Sequence, residues 1–411
     1  MPGNAALKTI PLSKTTKFIV DNRGRTAPTA ETGIPLIATN CISNDRLYPA
    51  YENLRFVSQE TYDNWFRSHP QPGDIILTNK GSQNGAICLV PDPVDFVIAQ
   101  DMVALRADEQ VIDPCYLFAA LRSPNVQRDI KNLDVSGVIP HFKKTDFDKL
   151  HLPYPARDVQ EAIGKIYFDF SAKIELNRRM TATLETIARA LFKSWFVDFD
   201  PVRAKLDGRK PGSMDDATAA LFPDSFQDSE LGNIPKSWQV KTLGEVIELA
   251  YGKPLKAENR KNGPVIVYGA NGPVGEHDEK LVSGPGIVVG RKGNPGVVTW
   301  AHNDFYPIDT TFYVVPLGPC RSLYFLFYAL SLHNLANLSA DSAVPGLNRN
   351  HAYMSKQIVP SPDALEAFDF QISPIFDAMH ANERQSRSLA TLRDTLLPRL
   401  LSGELTTATA G

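Results

Sequence analysis

At 411 residues the chain is long enough for two or three domains, and its 43% hydrophobic and 22% charged content is that of an ordinary globular protein. No apolar run reaches the roughly 18 residues of a membrane span, and the start "MPGNAALKTIPLSK" has no signal-peptide apolar region, so a cytoplasmic protein without a membrane role is expected. A formal net charge of -3 argues against a self-sufficient, strongly basic nucleic-acid binder, and Cys41, Cys88, Cys115 and Cys320 lie too far apart for a zinc site or a disulfide framework.

In chain order, residues 1–155 read as a β-rich globular part, 156–200 as a long helix and 201–234 as a connector. Residues 235–362 read as a second globular part and 363–405 as a second long helix. Within the first part, "GDIILTNKGSQNGAICLV" is an apolar run, a Gly/Asn/Ser turn and a second apolar run, the pattern of a hairpin. The first long helix has apolar residues at Ile163, Ile166, Phe170, Ile174, Met180, Leu184, Ile187, Leu191 and Trp195, a seam of coiled-coil type interrupted at Asn177. The connector is rich in Pro, Gly, Asp and Ser and has little periodicity. The second globular part carries another hairpin pattern, "GPGIVVGRKGNPGVVTW". The second helix repeats the seam at Leu365, Phe368, Ile372, Ile375, Met379, Leu389, Leu392, Leu396 and Leu400, interrupted around Asn382, with a restart expected at Ser373-Pro374.

The two halves are thus one pattern written twice. "LETIARALFKSWF" at Leu184 and "LATLRDTLLPRLL" at Leu389 align without a gap at a shift of 205 residues, as do Asn177 and Asn382. Lys80-Gly81 falls on Lys292-Gly293, Cys115 on Cys320, and "SGVIPHFKKTDF" on "SAVPGLNRNHAY", always in the same order. The expected fold is α+β, with two globular β-rich domains separated by a pair of long antiparallel coiled-coil helices in a pseudo-twofold internal repeat. Each helix would run about 40 residues, roughly 60 Å at 1.5 Å per residue. Asn177 and Asn382 would fix helix register by pairing their amides, or else sit solvated at a frayed stretch.

Candidate nucleic-acid contacts fall in two places per copy. The hairpin tips hold Asn79, Lys80, Ser82, Gln83 and Asn84, and Arg291, Lys292 and Asn294. The segments before the long helices hold His141, Lys143, Lys144 and Thr145, and Asn348, Arg349, Asn350 and His351. Lys and Arg suit phosphate or guanine, and Asn and Gln suit adenine edges. The alternatives are solvated turns for the tips and helix-entry segments for the others. Tyr251, Tyr268 and Trp300 read as core or turn residues. Leu191, Phe192, Trp195, Phe196 and Phe199, with Leu396, Leu397, Leu400 and Leu401, exceed what one seam buries. They would form docking faces for two copies of a partner, or be buried against the chain's own domains.

Catalytic motifs are missing. There is no phosphate loop, no dinucleotide fingerprint and no metal-ligand histidine pair, and Asp198, Asp200 and Lys205 in "DFDPVRAK" read as capping or salt-bridging residues.

"LFKSWFVDFDPVRAK", "TAALFPDSFQDSELGNIPKSWQVKTLGEVI" and "TLLPRLLSGEL" resemble the conserved regions of Type I restriction-modification specificity (S) subunits, in that family's order along essentially the whole chain. The resemblance implies two target-recognition domains reading an asymmetric, bipartite double-stranded DNA target. It implies a non-catalytic subunit with no cofactor of its own. Two methyltransferase (M) and two restriction (R) subunits would bring S-adenosylmethionine, ATP and Mg. The rival readings are a DNA-free adaptor binding two copies of a partner, and a stand-alone DNA methyltransferase or nuclease.

Overall fold

The computed structural model describes residues 8–22, 25–133, 140–212, 214–338 and 346–405. Parts of the matched runs before the long helices, 136–139 and 342–345, lie outside the described residues. The chain divides into two compact units, Met1–Arg179 with Asn382–Gly411, and Met180–Ala381. Each unit holds one globular part and a stretch of both long helices.

The first unit contains β1 (Thr9–Pro11), β2 (Thr16–Asp21), β3 (Ile34–Ile37), β4 (Arg55–Val57), α1 (Gln59–Asn64), β5 (Ile75–Thr78), β6 (Ile87–Leu89), β7 (Val97–Ile98), β8 (Met102–Ala107), α2 (Pro114–Arg122), α3 (Pro124–Asn132), β9 (His151–Pro153) and the start of α4 (Arg157–Phe196). A four-stranded antiparallel sheet has the order β2-β8-β5-β6. A three-stranded sheet, β4-β3-β7, pairs β3 with β7 in parallel, and β1 pairs with β9. The apolar run of β5 is buried on both faces, which is why it does not alternate. Asp113 caps α2 by accepting from the Tyr116 amide, with Pro114 at the first helical position.

The second unit begins with the end of α4 and continues through α5 (Asp200–Leu206), α6 (Asp216–Ala220), β10 (Phe226–Gln227), β11 (Ile234–Pro235), β12 (Gln239–Thr242), α7 (Leu243–Val246), β13 (Ile247–Tyr251), β14 (Val265–Gly269), β15 (Gly272–His277), β16 (Gly286–Gly290), β17 (Val298–Ala301), β18 (Phe305–Pro307), β19 (Thr311–Pro316), α8 (Leu323–Leu332), α9 (Arg349–Met354), β20 (Lys356–Val359) and the start of α10 (Pro362–Leu401). Its sheets are β13-β19-β16-β17, β15-β14-β18 with β14 parallel to β18, β12-β20 and β10-β11. Apart from β10-β11, the strand orders repeat those of the first unit. Register fixes the equivalences: Leu77 pairs with Val103 and Val103 with Asp21, while Val289 pairs with Phe312 and Phe312 with Tyr251. Asp21 and Tyr251 therefore occupy the same place.

Inside the first unit α4 and α10 run antiparallel. The Arg393 guanidinium lies 5.3 Å from the Tyr167 ring and donates to Ser171 Oγ at 3.4 Å, while Asn177 meets Asn382 and Gln385 one end further along. The Asn177 amide donates to the Asn382 carbonyl, Gln385 Oε1 and Ser386 Oγ at 3.4, 2.9 and 3.2 Å, and its own Oδ1 is buried with no partner among the described residues. The expected reciprocal pairing of the two amides is not made, because Asn177 meets the backbone at Asn382. Seam residues Met180, Ile187 and Leu392 are 43%, 50% and 50% exposed, so the seam is interrupted for longer than its spacing predicts.

Three further expectations are corrected. First, α10 continues through Pro374 without a restart. Pro374 is exposed, and the carbonyl that loses its helical donor belongs to Phe370, which is 78% exposed and open to water. Second, the connector is no loose linker. Val202, Phe222 and Ile234 enter the core of the second unit, and Phe222 meets Trp195 at 5.1 Å. Isolated apolar residues achieve this without a periodic signal. Third, the proposed docking residues are core. Phe192, Trp195, Phe196 and Phe199 are 3–6% exposed in the second unit's core, where Leu191 also packs, and Phe368 receives the Phe192, Trp195 and Phe196 rings at 6.1, 5.9 and 4.9 Å. Leu397 and Leu401 are buried in the first unit's core, Leu400 packs against it, and Leu396 lies half-buried beside Ile163 and Tyr167. Burying a large apolar side chain is worth about 1.5–3 kcal/mol, so the domain outcompetes any exposed face.

Candidate nucleic-acid interface

The β5–β6 and β16–β17 hairpins place their tips alike. In the first unit the Gly81 amide donates to the Pro140 carbonyl at 2.9 Å and the Phe142 amide to the Asn79 carbonyl at 2.9 Å, making a bridge between Lys80 and His141. In the second, the Leu347 amide donates to the Arg291 carbonyl at 2.9 Å, making a bridge between Lys292 and Gly346. The two stretches picked separately from the sequence thus form one surface in each unit. Fully buried Phe142 and 6%-exposed Leu347 anchor the incoming segments, so their neighbours turn outward by the alternation of extended backbone. Gly81 and Gly293, at φ +89° and +83°, make the same left-handed turn after the lysine, which a side chain would strain.

Some candidates belong to this framework. Asn79 is only 9% exposed, in the hairpin neck. Asn84 Oδ1 accepts from the Phe142 amide at 3.2 Å, and Asn348 caps α9 by accepting from the amides of Asn350 and His351. The side-chain oxygens of Asn84 and Asn348 are taken up by local backbone and Asn79 is buried, which corrects the expectation that these three face bases. Ser82, Gln83, Lys143, Lys144, Thr145, Lys292, Asn294, Asn350 and His351 are exposed, and Lys80, His141, Arg291 and Arg349 are half-exposed.

The electrostatics of the two surfaces differ. Lys80 lies 3.9 Å from Asp101, and Lys144 is ion-paired with Asp21. Lys143 has no ion pair among the described residues. In the second unit the guanidiniums of Arg291 and Arg349 lie 4.9 and 5.0 Å from the centroid of the Tyr251 ring, and neither makes an ion pair among the described residues. Arg291 donates to the Asp309 carbonyl at 3.0 Å and Arg349 to the Leu249 carbonyl at 3.4 Å. Tyr251 is 49% exposed, not core, while Tyr268 is buried and Trp300 stacks on Tyr324 at 4.9 Å. Sequence reasoning missed Asp21 and read Tyr251 as a core or turn residue rather than a stacking platform. Their signal is that each ends the first strand of its four-stranded sheet.

No group of three or more metal-ligating side chains is present among the described residues. Asp198 pairs with Lys193, Asp200 accepts from Ser194 Oγ at 2.7 Å, and Lys205 donates to the Phe222 carbonyl. No described helix is long and apolar enough to cross a membrane.

The Type I restriction modification DNA specificity domain matches this chain twice, over residues 23–186 and 235–389. The first match takes in β5, β6 and β8 with their hairpin tip, and the second takes in the whole β13-β19-β16-β17 sheet and its tip. The chain belongs to that family. As a specificity chain it carries both domains in one polypeptide, which fits recognition of a bipartite target. It is 26% identical to the Type I restriction enzyme HindI specificity subunit of Haemophilus influenzae, over 81% of this chain and 86% of that one. It is 24% identical to the MjaIX specificity subunit of Methanocaldococcus jannaschii, over 81% and 78%. The S subunit of the Type I restriction-modification system from M. genitalium shares its fold, with a TM-score of 0.58 and 17% identity over 100% of this chain and 99% of that one.

Proposed function

We propose that this specificity chain reads DNA without catalysis, its two domains contacting different half-sites of an asymmetric, double-stranded target. The observation that carries this is the repeated bridge, Lys80 with His141 and Lys292 with Gly346, which joins two polar, cation-bearing segments into one surface per domain. The contacts assigned to the first half-site are Lys80, Ser82, Gln83, His141, Lys143, Lys144 and Thr145. Those assigned to the second are Arg291, Lys292, Asn294, Arg349, Asn350 and His351. Two M subunits would supply methyl transfer from S-adenosylmethionine, and two R subunits ATP- and Mg-dependent restriction, in the cytoplasm. The net charge of -3 supports sharing DNA affinity with partners.

The test compares the chain alone with its complex with M on DNA at several salt concentrations. Weak binding alone and strong, salt-dependent, sequence-specific binding in the complex are expected. Genomic methylation mapping then separates the domains: Arg291→Ala with Arg349→Ala should relax only the second half-site, and Lys80→Ala with Lys144→Ala only the first. A loss of about 10- to 100-fold is expected at the affected half-site. Equal specificity without M, or methyl transfer or cleavage by the chain alone, would refute the proposal.

A further inference from the structure

We propose that Tyr251 is a positioning residue that holds the Arg291 and Arg349 guanidiniums as a preorganised fork for guanine in the second half-site. This rests on the DNA-contact reading above and adds a residue and a base to it. Two cations share the Tyr251 ring, at 4.9 and 5.0 Å from its centroid. Like charges repel, so such a cluster needs compensation. No carboxylate pairs with either arginine among the described residues, and the negative ring face supplies the attraction instead. Phe312 and Tyr353 add further ring contacts, at 5.8 Å from Arg291 and 5.7 Å from Arg349.

The ring itself is fixed. Tyr251 pairs with Phe312 in the sheet and packs on its ring at 5.0 Å. The next residue, Gly252, lies so close to the 307–308 backbone that a Cβ would come within 2.2 Å of the Ile308 carbonyl oxygen. The chain leaving Tyr251 has little room to shift. Each arginine has one nitrogen on a backbone carbonyl, Asp309 for Arg291 and Leu249 for Arg349. A guanidinium restrained by a ring and a carbonyl keeps its remaining N–H edge in a set plane. That is what bidentate donation to guanine O6 and N7 requires, and little rotamer entropy is left to lose on binding. The equivalent place in the first unit holds Asp21, which neutralises Lys144 and restrains a point charge without a plane. The clamp is therefore specific to the second domain.

The experiment uses the chain in complex with its M subunits. Affinities of wild type, Tyr251→Phe, Tyr251→Leu and the Arg291→Ala/Arg349→Ala pair are measured on cognate duplex and on duplexes with 7-deazaguanine at each second-half-site guanine. Wild type should lose affinity when N7 is removed at one or more positions. Tyr251→Leu should weaken cognate binding about 5- to 20-fold and make the complex indifferent to that substitution, leaving the first half-site as well read as before. Tyr251→Phe should behave as wild type. Matching thermal midpoints would show that the variants fold. Uniform weakening of Tyr251→Leu on all sequences, a phenylalanine variant as poor as the leucine one, or a second half-site without guanine each overturns the proposal. If the arginine pair loses discrimination and Tyr251→Leu does not, only the clamp fails. If the arginine pair keeps it, the DNA-contact reading fails as well.

Discussion

The two units share a backbone plan but solve the same local problems with different side chains. Where the first strand of the main sheet ends, the first unit sets Asp21 against Lys144, and the second sets Tyr251 against Arg291 and Arg349. A second exchange lies where the long helix meets the short helix after the sheet. In the first unit the carboxylate is on the short helix, the Asp113 cap, and the long helix offers Gly164. In the second the cap is Ser322 and the carboxylate is Asp369 on the long helix, which accepts from the serine hydroxyl. Gly164 and Asp369 stand at the same 205-residue shift. The strand order and the bridge behind the tip are common to both, while charge and volume are traded between partners within each unit. Half-site reading can therefore diverge without disturbing the frame.

The largest test of this comparison is in the cores. Ile163 and Phe368 are also related by the 205-residue shift, and both are at most 1% exposed. Phe368→Ala should cost about 3–5 kcal/mol and Ile163→Ala about 2–5 kcal/mol, through lost burial and the cavity left behind. Urea unfolding followed by tryptophan fluorescence separates the units, since Trp195, Trp238 and Trp300 lie in the second and Trp65 in the first. Phe368→Ala should move the main fluorescence transition well beyond Ile163→Ala. Equal shifts would mean that the units unfold as one.

Periodicity and repetition made the long helices and hairpins legible, along with their duplication. These depend on neighbours in sequence. At Trp195 and Phe196 the sequence leaves docking and burial both open, because an apolar excess does not say what covers it. The cover is Phe222, Trp238, Phe325 and Phe368, which the connector, the second domain and the second long helix bring in. Phe222 stands in a stretch whose composition reads as linker. Matching Cys115 with Cys320 was also too simple, since the helix caps Asp113 and Ser322 are the equivalent points and sit at a different shift. At the site, the tip and pre-helix residues were visible as polar clusters. Their pairing with Asp21 and Tyr251 was not, because Lys144 stands 123 positions from Asp21, and Arg291 and Arg349 stand 40 and 98 positions from Tyr251.

The helix junction gives the next largest effect. A Cβ on Gly164 would lie 2.5 Å from the Tyr116 amide nitrogen and 2.7 Å from Asp113 Oδ1. Alanine gains about 1 kcal/mol in helix propensity over glycine. Here the backbone of α2 cannot yield without moving the helix, so Gly164→Ala should be destabilising by about 1–3 kcal/mol net in urea unfolding. Adding Asp113→Ser, which copies the second unit's cap, should recover only part of this, since the amide nitrogen remains in the way. A neutral or stabilising Gly164→Ala would show that the two junctions are not sterically equivalent.

The smallest effect is electrostatic and belongs to the other half of that exchange. Partial burial holds the Asp369 carboxyl above the usual aspartate range, the Ser322 hydroxyl pulls it back down, and Glu366 adds to the upward push. A raised folded-state value means that between the ordinary and raised values the folded chain binds more protons than the unfolded one. The derivative of unfolding free energy with pH is then negative, so this group favours the fold as pH falls through that window and opposes it as pH rises. Asp369→Asn keeps an acceptor for Ser322 and removes the charge. At neutral pH it should change stability by less than about 1 kcal/mol, in the stabilising direction. Urea midpoints taken from acid to neutral pH should show a difference between variant and wild type that shrinks toward acid. A difference that grew toward acid would mean that the ionised form is the one the fold prefers. The carboxylate on the long helix would then be the favourable partner of the short helix's cap, as Asp113 is for its own helix.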